Sequence, residues 1–321
     1  MPKRILITGA NGFLGQKLCE VAQSIGFDVF AGVRASANTK SLKSIGVQLL
    51  EIDYSSQSSI ESSLKQSGRD QFDFVIHNAG LTHSIRDEDF YRINTDMTDH
   101  LLSAINRNEL IPPSGKFIYI SSMAARGPRG TGGPVSAYGK SKLMAEEHIK
   151  SKVPNYLIFR PTAIYGPGDM AFLSLFKAAK LGWYPMITRK NHIMTFIHGL
   201  DVANNIFSMM IKLKNSVVHL DNGIPVTHVT LKATLSMSIN KKLRNLFIPS
   251  GIMIPYLYLA DIINHLFNVK PEITKEKWRE IGGDWDHDLS DERQKWPIKE
   301  DFTLEMGISE TMEYYQKNRL I

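Results

Sequence analysis

The sequence predicts an α/β fold in which helices cover both faces of a doubly wound parallel sheet, and two observations predict it. Short runs rich in β-branched and aromatic residues alternate with helix-length segments through the first half of the 321-residue chain. A glycine-rich turn joins the first predicted strand to the first predicted helix. Such alternation is typical of a parallel sheet whose ligands bind at the carboxyl ends of the strands.

The predicted elements fall into two groups along the chain. The first group contains the strands 4–8, 29–33, 47–52, 74–77, 116–121 and 156–159. After Arg160 and Pro161 the alternation of strand-like and helix-like segments becomes less regular. It then predicts the helices 170–182, 200–213, 231–238 and 252–267 and the strands 217–220 and 246–248. We therefore predict a sheet domain over 1–165 and, over 166–321, mainly a smaller, discontinuous cap, with some segments returning to the sheet domain.

Composition narrows the class of protein. Hydrophobic residues make up 43% of the chain and charged residues 22%, which is typical of a globular protein. The formal net charge is +6. Because the basic residues are scattered along the sequence without a dense block, we expect an anionic cofactor and no nucleic acid partner.

Cysteine usage and hydropathy set further expectations. Cys19 is the single cysteine, so no intrachain disulfide forms. Histidines and acidic residues show no ligand spacing, and we predict no metal site. No apolar run reaches the roughly 20 residues that span a bilayer, and the chain starts without a signal peptide. The expected location is the cytoplasm.

The glycine-rich turn has the features of a phosphate-binding loop. Gly9 permits a tight turn, Gly12 lets the backbone approach a pyrophosphate, and Gly15 lets the helix pack closely on the strand. The helix N-terminus then offers unpaired N–H groups to the phosphates. We predict a Rossmann-type dinucleotide site here, formed by Gly9, Asn11, Gly12, Phe13, Leu14 and Gly15.

The Gly-x-x-Gly-x-x-Gly spacing resembles the extended branch of the short-chain dehydrogenase/reductase family. Residues 53–54 resemble the acidic site near the adenine, and residues 77–80 resemble the strand end along the cofactor. Residues 160–168 are similar to the segment that closes the nicotinamide pocket, and 196–201 to the strand and helix start beyond it. The resemblance implies further cofactor contacts from Asp53, Tyr54, Asn78, Ala79, Gly80, Pro161 and Ile164.

The end of the second predicted strand indicates which nicotinamide cofactor binds. NAD-dependent proteins place an acidic residue there, which accepts hydrogen bonds from the adenosine ribose. Here the strand ends in Val33-Arg34, and a guanidinium suits a 2′-phosphate. Ser36, Lys40 and Lys43 could reinforce the site. We therefore expect NADP(H), with NAD(H) as the alternative.

A Tyr-x-x-x-Lys pattern carries the predicted chemistry. Tyr138 and Lys142 stand four residues apart at a helix start, so their side chains share one face. A neighbouring ammonium favours the phenolate and is expected to lower the tyrosine pKa. Ser122 would orient the substrate oxygen; Ser121 competes for this role, and the family alignment favours Ser122. The resemblance adds that Lys142 holds the nicotinamide ribose and that Asn94 braces Lys142.

The residues around the trio favour one reaction over others. Met123 and Ala124 follow Ser122 where family dehydratases carry an acidic pair, and Ala163 replaces an asparagine of nucleotide-sugar epimerases. Residues 160–166 resemble 3β-hydroxysteroid dehydrogenases and dihydroflavonol reductases. We predict hydride transfer between NADP(H) and a carbonyl or secondary alcohol of a small, apolar substrate. The alternatives are a nucleotide-sugar 4-epimerase with bound NAD and a non-catalytic NADP(H)-binding regulatory protein.

The sequence leaves more than one interpretation open for several features. The apolar segment 252–263 has three interpretations: a cap helix packed on the sheet, a lid over an apolar substrate, and a contact with a membrane surface. The loop 126–134 is an active-site flap or a plain surface loop. His83 and His198 are pocket groups or structural residues. The resemblance also implies a homodimer joined through two helices of the sheet domain.

Overall fold

The structure is a computed structural model, and it describes most of the chain. The described residues are 2–66, 68, 71–130, 132–186, 192–249, 251, 253, 255, 278, 280, 283–285 and 287–321. The predicted helix 252–267 and the apolar segment 252–263 therefore lie, apart from residues 253 and 255, outside the described residues.

A seven-stranded parallel sheet forms the centre of the molecule, in the order β11-β6-β5-β4-β1-β2-β3. Its strands are β1 Arg4–Thr8, β2 Asp28–Val33, β3 Gln48–Glu51, β4 Phe74–His77, β5 Lys116–Ile120, β6 Tyr156–Pro161 and β11 Ser216–Leu220. Because β1 lies between β2 and β4, the strand order reverses beside it. A reversal of this kind opens a crevice at the carboxyl ends of the strands, where ligands of α/β proteins bind.

Helices cover both faces of this sheet. The helices of the described part of the chain are α1 Phe13–Ser24, α2 Lys40–Ile45, α3 Gln57–Lys65, α4 Asp87–Phe90, α5 Met97–Arg107, α6 Ala137–Lys152, α7 Leu173–Lys180, α8 Gly199–Met210, α9 His228–Ser238, α10 Ser290–Lys295 and α11 Leu304–Lys317. Of these, α7, α9 and α11 pack around a separate apolar core. On one face Leu18 of α1 and Ile206 of α8 are fully buried, and on the other Ile60 of α3 and Ile149 of α6 are fully buried. This arrangement confirms the predicted fold class.

Short strands and helices beyond residue 162 enclose a third apolar core. The strands are β7 Ala163–Tyr165, β8 Trp183–Met186, β9 Ile193–Met194, β10 Phe196–His198, β12 Val226–Thr227 and β13 Arg244–Phe247. Phe176, Tyr184, Leu235 and Tyr315 are buried in this core. We call the elements around it the cap. The division of the chain at residue 165 stays a prediction.

Several element ends differ from the predicted ones for local reasons. The helix predicted from residue 170 begins at Leu173, and in the turn before it the Asp169 carboxylate accepts hydrogen bonds from the N–H groups of Ala171 and Phe172. The helix predicted from residue 231 begins at His228, since the Thr227 hydroxyl accepts a hydrogen bond from the Thr230 N–H. The sequence analysis missed α10 and α11, and β7, β8, β9 and β12.

Candidate active site

The glycine loop closes tightly on the neighbouring strand ends. Gly9 has φ +63°, and a Cβ built on it would lie 2.7 Å from the Cα of Ala79. A Cβ on Gly15 would collide with the carbonyl oxygen of Gly9. Gly12 is exposed, caps α1 and precedes a first turn without acidic residues. The loop thus leaves space and free N–H groups where a dinucleotide diphosphate would bind, and its residues fit such a group.

Buried polar contacts hold the end of β4 against this loop. His77 is buried, and its two ring nitrogens lie 2.7 Å from the Thr8 hydroxyl and 2.9 Å from the Thr98 hydroxyl. Burial, assisted by the charge of Lys142, lowers the pKa of His77 to about 3, so the ring is neutral. Asn78 donates to the Gly9 carbonyl at 3.2 Å. The sequence analysis did not foresee this role of Thr8.

Arg34, Asp53 and Tyr54 lie at the ends of the neighbouring strands β2 and β3. Arg34 is exposed directly after β2. Asp53 is also exposed, and a hydrogen bond of 2.9 Å from the Ser55 N–H holds the pKa of its carboxyl below the usual value. Burial raises the pKa of the Tyr54 hydroxyl, against the opposing charge of Arg34. These side chains lie where the adenosine half of the cofactor is predicted to bind.

The start of α6 places Tyr138 beside Ser122. The Ser136 hydroxyl accepts a hydrogen bond of 3.0 Å from the Gly139 N–H and so begins the helix. A Cβ on Gly139 would collide with the carbonyl oxygen of Ala124, so glycine lets α6 contact the turn after Ser122. A hydrogen bond from Ser122 lowers the pKa of Tyr138, but the stronger effect of burial raises it.

Lys142 lies one helical turn beyond Tyr138 and points to the strand end. Its Nζ donates to the Ile120 carbonyl at 2.8 Å and lies 4.6 Å from the centre of the Tyr119 ring. A Cβ on Gly80 would lie 3.2 Å from this Nζ, so glycine allows the close approach. Desolvation lowers the pKa of Lys142 to about 7, against the charge of Glu146.

One expectation about this pair is not met. The neighbouring ammonium was expected to lower the tyrosine pKa, yet burial raises the pKa of Tyr138, and Ser122 is the group that lowers it. The physical reason is that both side chains leave water. Desolvation disfavours the charged form of each group, so it stabilises the neutral phenol and the neutral amine.

Asn94 fixes α6 beside Lys142. It is fully buried in a π-helical turn over Tyr91–Asp96. Its side-chain oxygen accepts from the Leu81 N–H at 2.7 Å, and its amide donates to the Leu81 carbonyl and to the Ser141 hydroxyl, both at 3.0 Å. Asn94 therefore contacts the residue that precedes Lys142. The role of a brace, implied by the resemblance, stays a prediction with this geometry in its favour.

The two adjacent serines lie in different surroundings. The buried Ser121 hydroxyl donates to Glu146 Oε1 at 2.5 Å. The Ser122 side chain instead accepts a hydrogen bond of 3.1 Å from the Ala124 N–H and is near enough to Tyr138 to lower the pKa of its hydroxyl. The structure thus brings Ser122 together with Tyr138 and directs Ser121 to Glu146.

Glu146 is the centre of a buried charge network that the sequence analysis missed. Arg160 donates to both of its carboxylate oxygens, at 2.8 and 2.6 Å. Arg160 also lies 3.4 Å from His219 Nε2, and His219 Nδ1 lies 2.7 Å from Glu292. The network therefore joins α6 to β6, β11 and α10. Glu146 is eight residues beyond Tyr138 on one helix, a spacing that could have indicated it.

The strands β6, β7 and β10 form the side of the crevice where the nicotinamide is predicted to bind. Pro161 is buried at the end of β6, and Ile164 is half-buried in β7, which pairs with β10. His198 is buried, and its ring centre lies 4.1 Å from that of Phe302. Burial lowers the pKa of His198 to about 4. His83, in contrast, is exposed.

The loop 126–134 is tied to the C-terminal part of the chain. The Arg129 N–H donates to the Asp284 carbonyl at 3.1 Å, and its guanidinium contacts the Asp284 carboxylate at 2.5 Å. The carbonyl oxygen of Gly127 lies 2.9 Å from His287 Nε2. The loop therefore connects the turn after Ser122 to Asp284 and His287.

Comparison with known proteins decides the family. The model of the NAD dependent epimerase/dehydratase family matches residues 5–220. The chain belongs to this family. A ceramide reductase of Caulobacter vibrioides is 28% identical over 318 residues, covering 97% of this chain and 94% of that protein. The UDP-glucose 4-epimerase of Vibrio cholerae is 24% identical and covers 98% of this chain and 96% of that protein.

The fold is shared with solved structures of epimerases. The structure of a UDP-glucuronic acid 4-epimerase from Bacillus cereus in complex with NAD superimposes with a TM-score of 0.73 at 19% identity, covering 98% of this chain and 99% of that one. The predicted resemblance to the extended short-chain dehydrogenase/reductases is confirmed. As a member of the epimerase/dehydratase family, the chain is an NAD(P)-dependent oxidoreductase.

The described part of this family member contains neither a membrane-spanning helix nor a metal-binding cluster of side chains. None of the helices described is both long and apolar enough to cross a membrane. Among the described residues, no group of three or more His, Cys, Asp or Glu side chains is placed to hold a metal ion.

Proposed function

We propose that this chain transfers a hydride between NADP(H) and a carbonyl or secondary-alcohol carbon of a small, largely apolar substrate, with Tyr138 as the acid/base. One observation carries the proposal. Ser122, Tyr138 and Lys142 lie together beside the glycine loop. The start of α6 packs on the turn after Ser122, Ser122 is near enough to Tyr138 to lower the pKa of its hydroxyl, and Lys142 is held at the end of β5. This is the constellation that carbonyl reduction requires: an oriented proton donor next to a dinucleotide site.

The raised pKa of Tyr138 favours reduction of a carbonyl over oxidation of an alcohol. Because burial keeps the phenol protonated, Tyr138 holds the proton that the substrate oxygen needs. Ser122 orients that oxygen by a hydrogen bond. A bound nicotinamide cofactor supplies the hydride, and the carbonyl carbon accepts it. In the reverse direction Tyr138 removes the proton from the alcohol.

Lys142 has two tasks in this proposal. Its Nζ, held by the Ile120 carbonyl, lies next to Gly80 at the strand end, where the ribose of the nicotinamide would lie. A pKa of about 7 makes the charge of Lys142 sensitive to a nearby anion. Lys142 would therefore bind the ribose hydroxyls and stabilise the deprotonated state of Tyr138.

Arg34 supports NADP(H) as the cofactor. Its exposed guanidinium stands directly after β2, at the position where a carboxylate would accept the ribose hydroxyls of NAD. It lies close enough to Tyr54 for its charge to act on the Tyr54 hydroxyl. A 2′-phosphate at this position would pair with the guanidinium by charge-assisted hydrogen bonds.

Three features favour reduction of an apolar substrate over nucleotide-sugar chemistry. The similar Caulobacter vibrioides protein is named a ceramide reductase, and a ceramide is an apolar lipid. In this chain Met123 and Ala124, both buried, follow Ser122, so the turn contributes no carboxylate to elimination chemistry. Ala163, half-buried in β7, offers no amide to a nucleotide diphosphate.

A nucleotide-sugar 4-epimerase is the second candidate, favoured by the similarity to the Vibrio cholerae UDP-glucose 4-epimerase over nearly the whole chain. An epimerase retains its nicotinamide through the reaction, whereas a reductase exchanges it. Turnover of NADPH should therefore be measured with a ceramide ketone, a 3-ketosteroid and UDP-glucose in parallel. We expect NADPH oxidation with at least one ketone. Interconversion of the UDP-sugar without net oxidation, and no turnover of any ketone, would establish the epimerase instead.

A further inference from the structure

Two stretches of the cap carry basic residues and lack acidic ones, although basic residues are scattered along the sequence as a whole. The described residues of 170–200 and 222–249 together contain six Lys and Arg residues and no Asp or Glu. The two stretches are brought together in the fold, because β8 of the first pairs with β13 of the second. The cap therefore carries a surface on which positive charge is not balanced by carboxylates from the same elements.

We call this surface the basic–apolar face and define it by six exposed residues. They are Leu181, Trp183, Lys241, Lys242, Arg244 and Leu246. Local contacts join them across the two stretches. The Lys241 Nζ donates to the Lys180 carbonyl at 3.2 Å, and the Arg244 N–H donates to the Gly182 carbonyl at 2.9 Å.

The register of β8 and β13 decides which side chains face outwards. Trp183 pairs with Arg244 and Pro185 pairs with Leu246, so these side chains lie on one face of the two-stranded sheet. Tyr184, the next residue along β8, is 2% exposed and packs in the cap core. Because successive residues of a strand alternate, Trp183, Arg244 and Leu246 face away from that core.

Large apolar side chains are unusually exposed on this face. Leu181 is 74% exposed, Trp183 40% and Leu246 44%. Single exposed apolar residues are common, but a cluster mixed with Lys and Arg is typical of surfaces that insert into the headgroup region of a membrane. Tryptophan is enriched at that depth, and each basic residue near an anionic bilayer adds attraction.

We propose that the basic–apolar face docks peripherally on an anionic phospholipid bilayer. Leu181, Trp183 and Leu246 would enter the boundary between headgroups and acyl chains, while Lys242 and Arg244 contact the lipid phosphates. A single-stranded nucleic acid would use the positive charge and stack bases on Trp183, but it would have no use for the two leucines. The proposal does not depend on the catalytic site or its substrate.

Vesicle sedimentation of the full-length protein tests the proposal. We expect binding to vesicles of phosphatidylcholine mixed with phosphatidylglycerol and little binding to phosphatidylcholine alone, with weaker binding at high salt. The fluorescence of the unmutated protein should shift to the blue with the anionic vesicles, and Trp183→Phe should remove most of that shift. No sedimentation with the anionic vesicles, or a shift that persists in Trp183→Phe, would overturn the proposal.

A matched pair of charge reversals localises the contact. Lys242→Glu/Arg244→Glu should weaken vesicle binding by about tenfold or more, since it reverses two charges at the surface. Lys212→Glu/Lys214→Glu is the control, because these two exposed lysines follow the exposed Ile211 directly after α8, on the sheet domain. Leu181→Ser should also weaken vesicle binding, and its melting temperature should equal that of the unmutated protein.

Two outcomes of the matched pair would contradict the proposal. Equal losses in the two charge-reversed proteins would mean that net charge, and not this face, drives binding. Binding of a single-stranded oligonucleotide that exceeds vesicle binding, and that depends on Lys242 and Arg244 but not on Leu181, would assign the face to nucleic acid.

Discussion

The Lys142 ammonium donates a hydrogen bond of 2.8 Å to the main-chain carbonyl of Ile120, at the carboxyl end of β5. The lysine is 4% exposed and is therefore held in the crevice by the sheet itself. A side chain fixed in this way loses little further freedom when it binds a ligand. The cost is desolvation, which lowers the Lys142 pKa to about 7.

This lowered pKa gives a stability prediction with a definite sign. The pKa of Lys142 is about 7 in the folded chain and near the ordinary value of 10.5 in the unfolded chain, so between these pH values the unfolded chain binds more protons. The unmutated protein should gain stability relative to Lys142→Met by about 2 kcal/mol as the pH rises from 6.5 to 9. Urea unfolding at both pH values measures this difference.

Lys140→Met is the control for that experiment, since Lys140 is exposed on the same helix. Its stability difference from the unmutated protein should change little with pH. A Lys142→Met difference that is flat with pH, or that has the opposite slope, would show that Lys142 is not desolvated as described.

Alanine substitutions of the two adjacent serines should have different effects, one on catalysis and the other on stability. Ser122→Ala should lower kcat/KM by about 10- to 100-fold with little change in melting temperature, because it deletes a hydrogen bond to the substrate oxygen and to Tyr138. Ser121→Ala should lower the free energy of unfolding by about 1–3 kcal/mol, since it removes a donor from the buried Glu146. Steady-state kinetics and urea unfolding of both variants measure the two effects. The reverse assignment of the effects would make Ser121 the catalytic serine.

Much of the sheet domain and of the site could be predicted because the signals are local. Three glycines at a strand-to-helix turn and a tyrosine four residues before a lysine specify geometry within a few residues. The six strands predicted before residue 160 are all present, with ends that differ by at most two residues.

The remaining features depend on contacts between distant parts of the chain. Glu146, Arg160, His219 and Glu292 meet only because β6 pairs with β11, and no spacing along the sequence encodes that meeting. The strands β9 and β12 contain two residues each, which is too short for an alternating pattern. The pKa of Tyr138 is raised, whereas the sequence predicted that it is lowered. The reason is burial, which has the largest effect on this pKa and which the sequence does not show.

Arg34 gives a prediction about cofactor choice. The unmutated protein should bind NADPH more tightly than NADH, and Arg34→Ala should remove most of the difference by deleting a charge-assisted contact worth about 1.5–3 kcal/mol. NADH affinity should change little. Fluorescence titrations of both cofactors measure this, with Arg107→Ala, an exposed arginine on α5, as the control. Equal affinity for the two cofactors in the unmutated protein would exclude a 2′-phosphate site at Arg34.

The central claim is that Tyr138 moves the proton, and Tyr138→Phe tests it most directly. The change removes one hydroxyl and keeps the ring, so melting temperature and NADPH affinity should stay close to those of the unmutated protein. The rate of the chemical step, measured in single turnovers with a ketone substrate, should fall by about 10²- to 10⁴-fold. Tyr156→Phe, a half-buried tyrosine on β6, should keep its activity. A folded Tyr138→Phe protein with near-normal turnover would contradict the account.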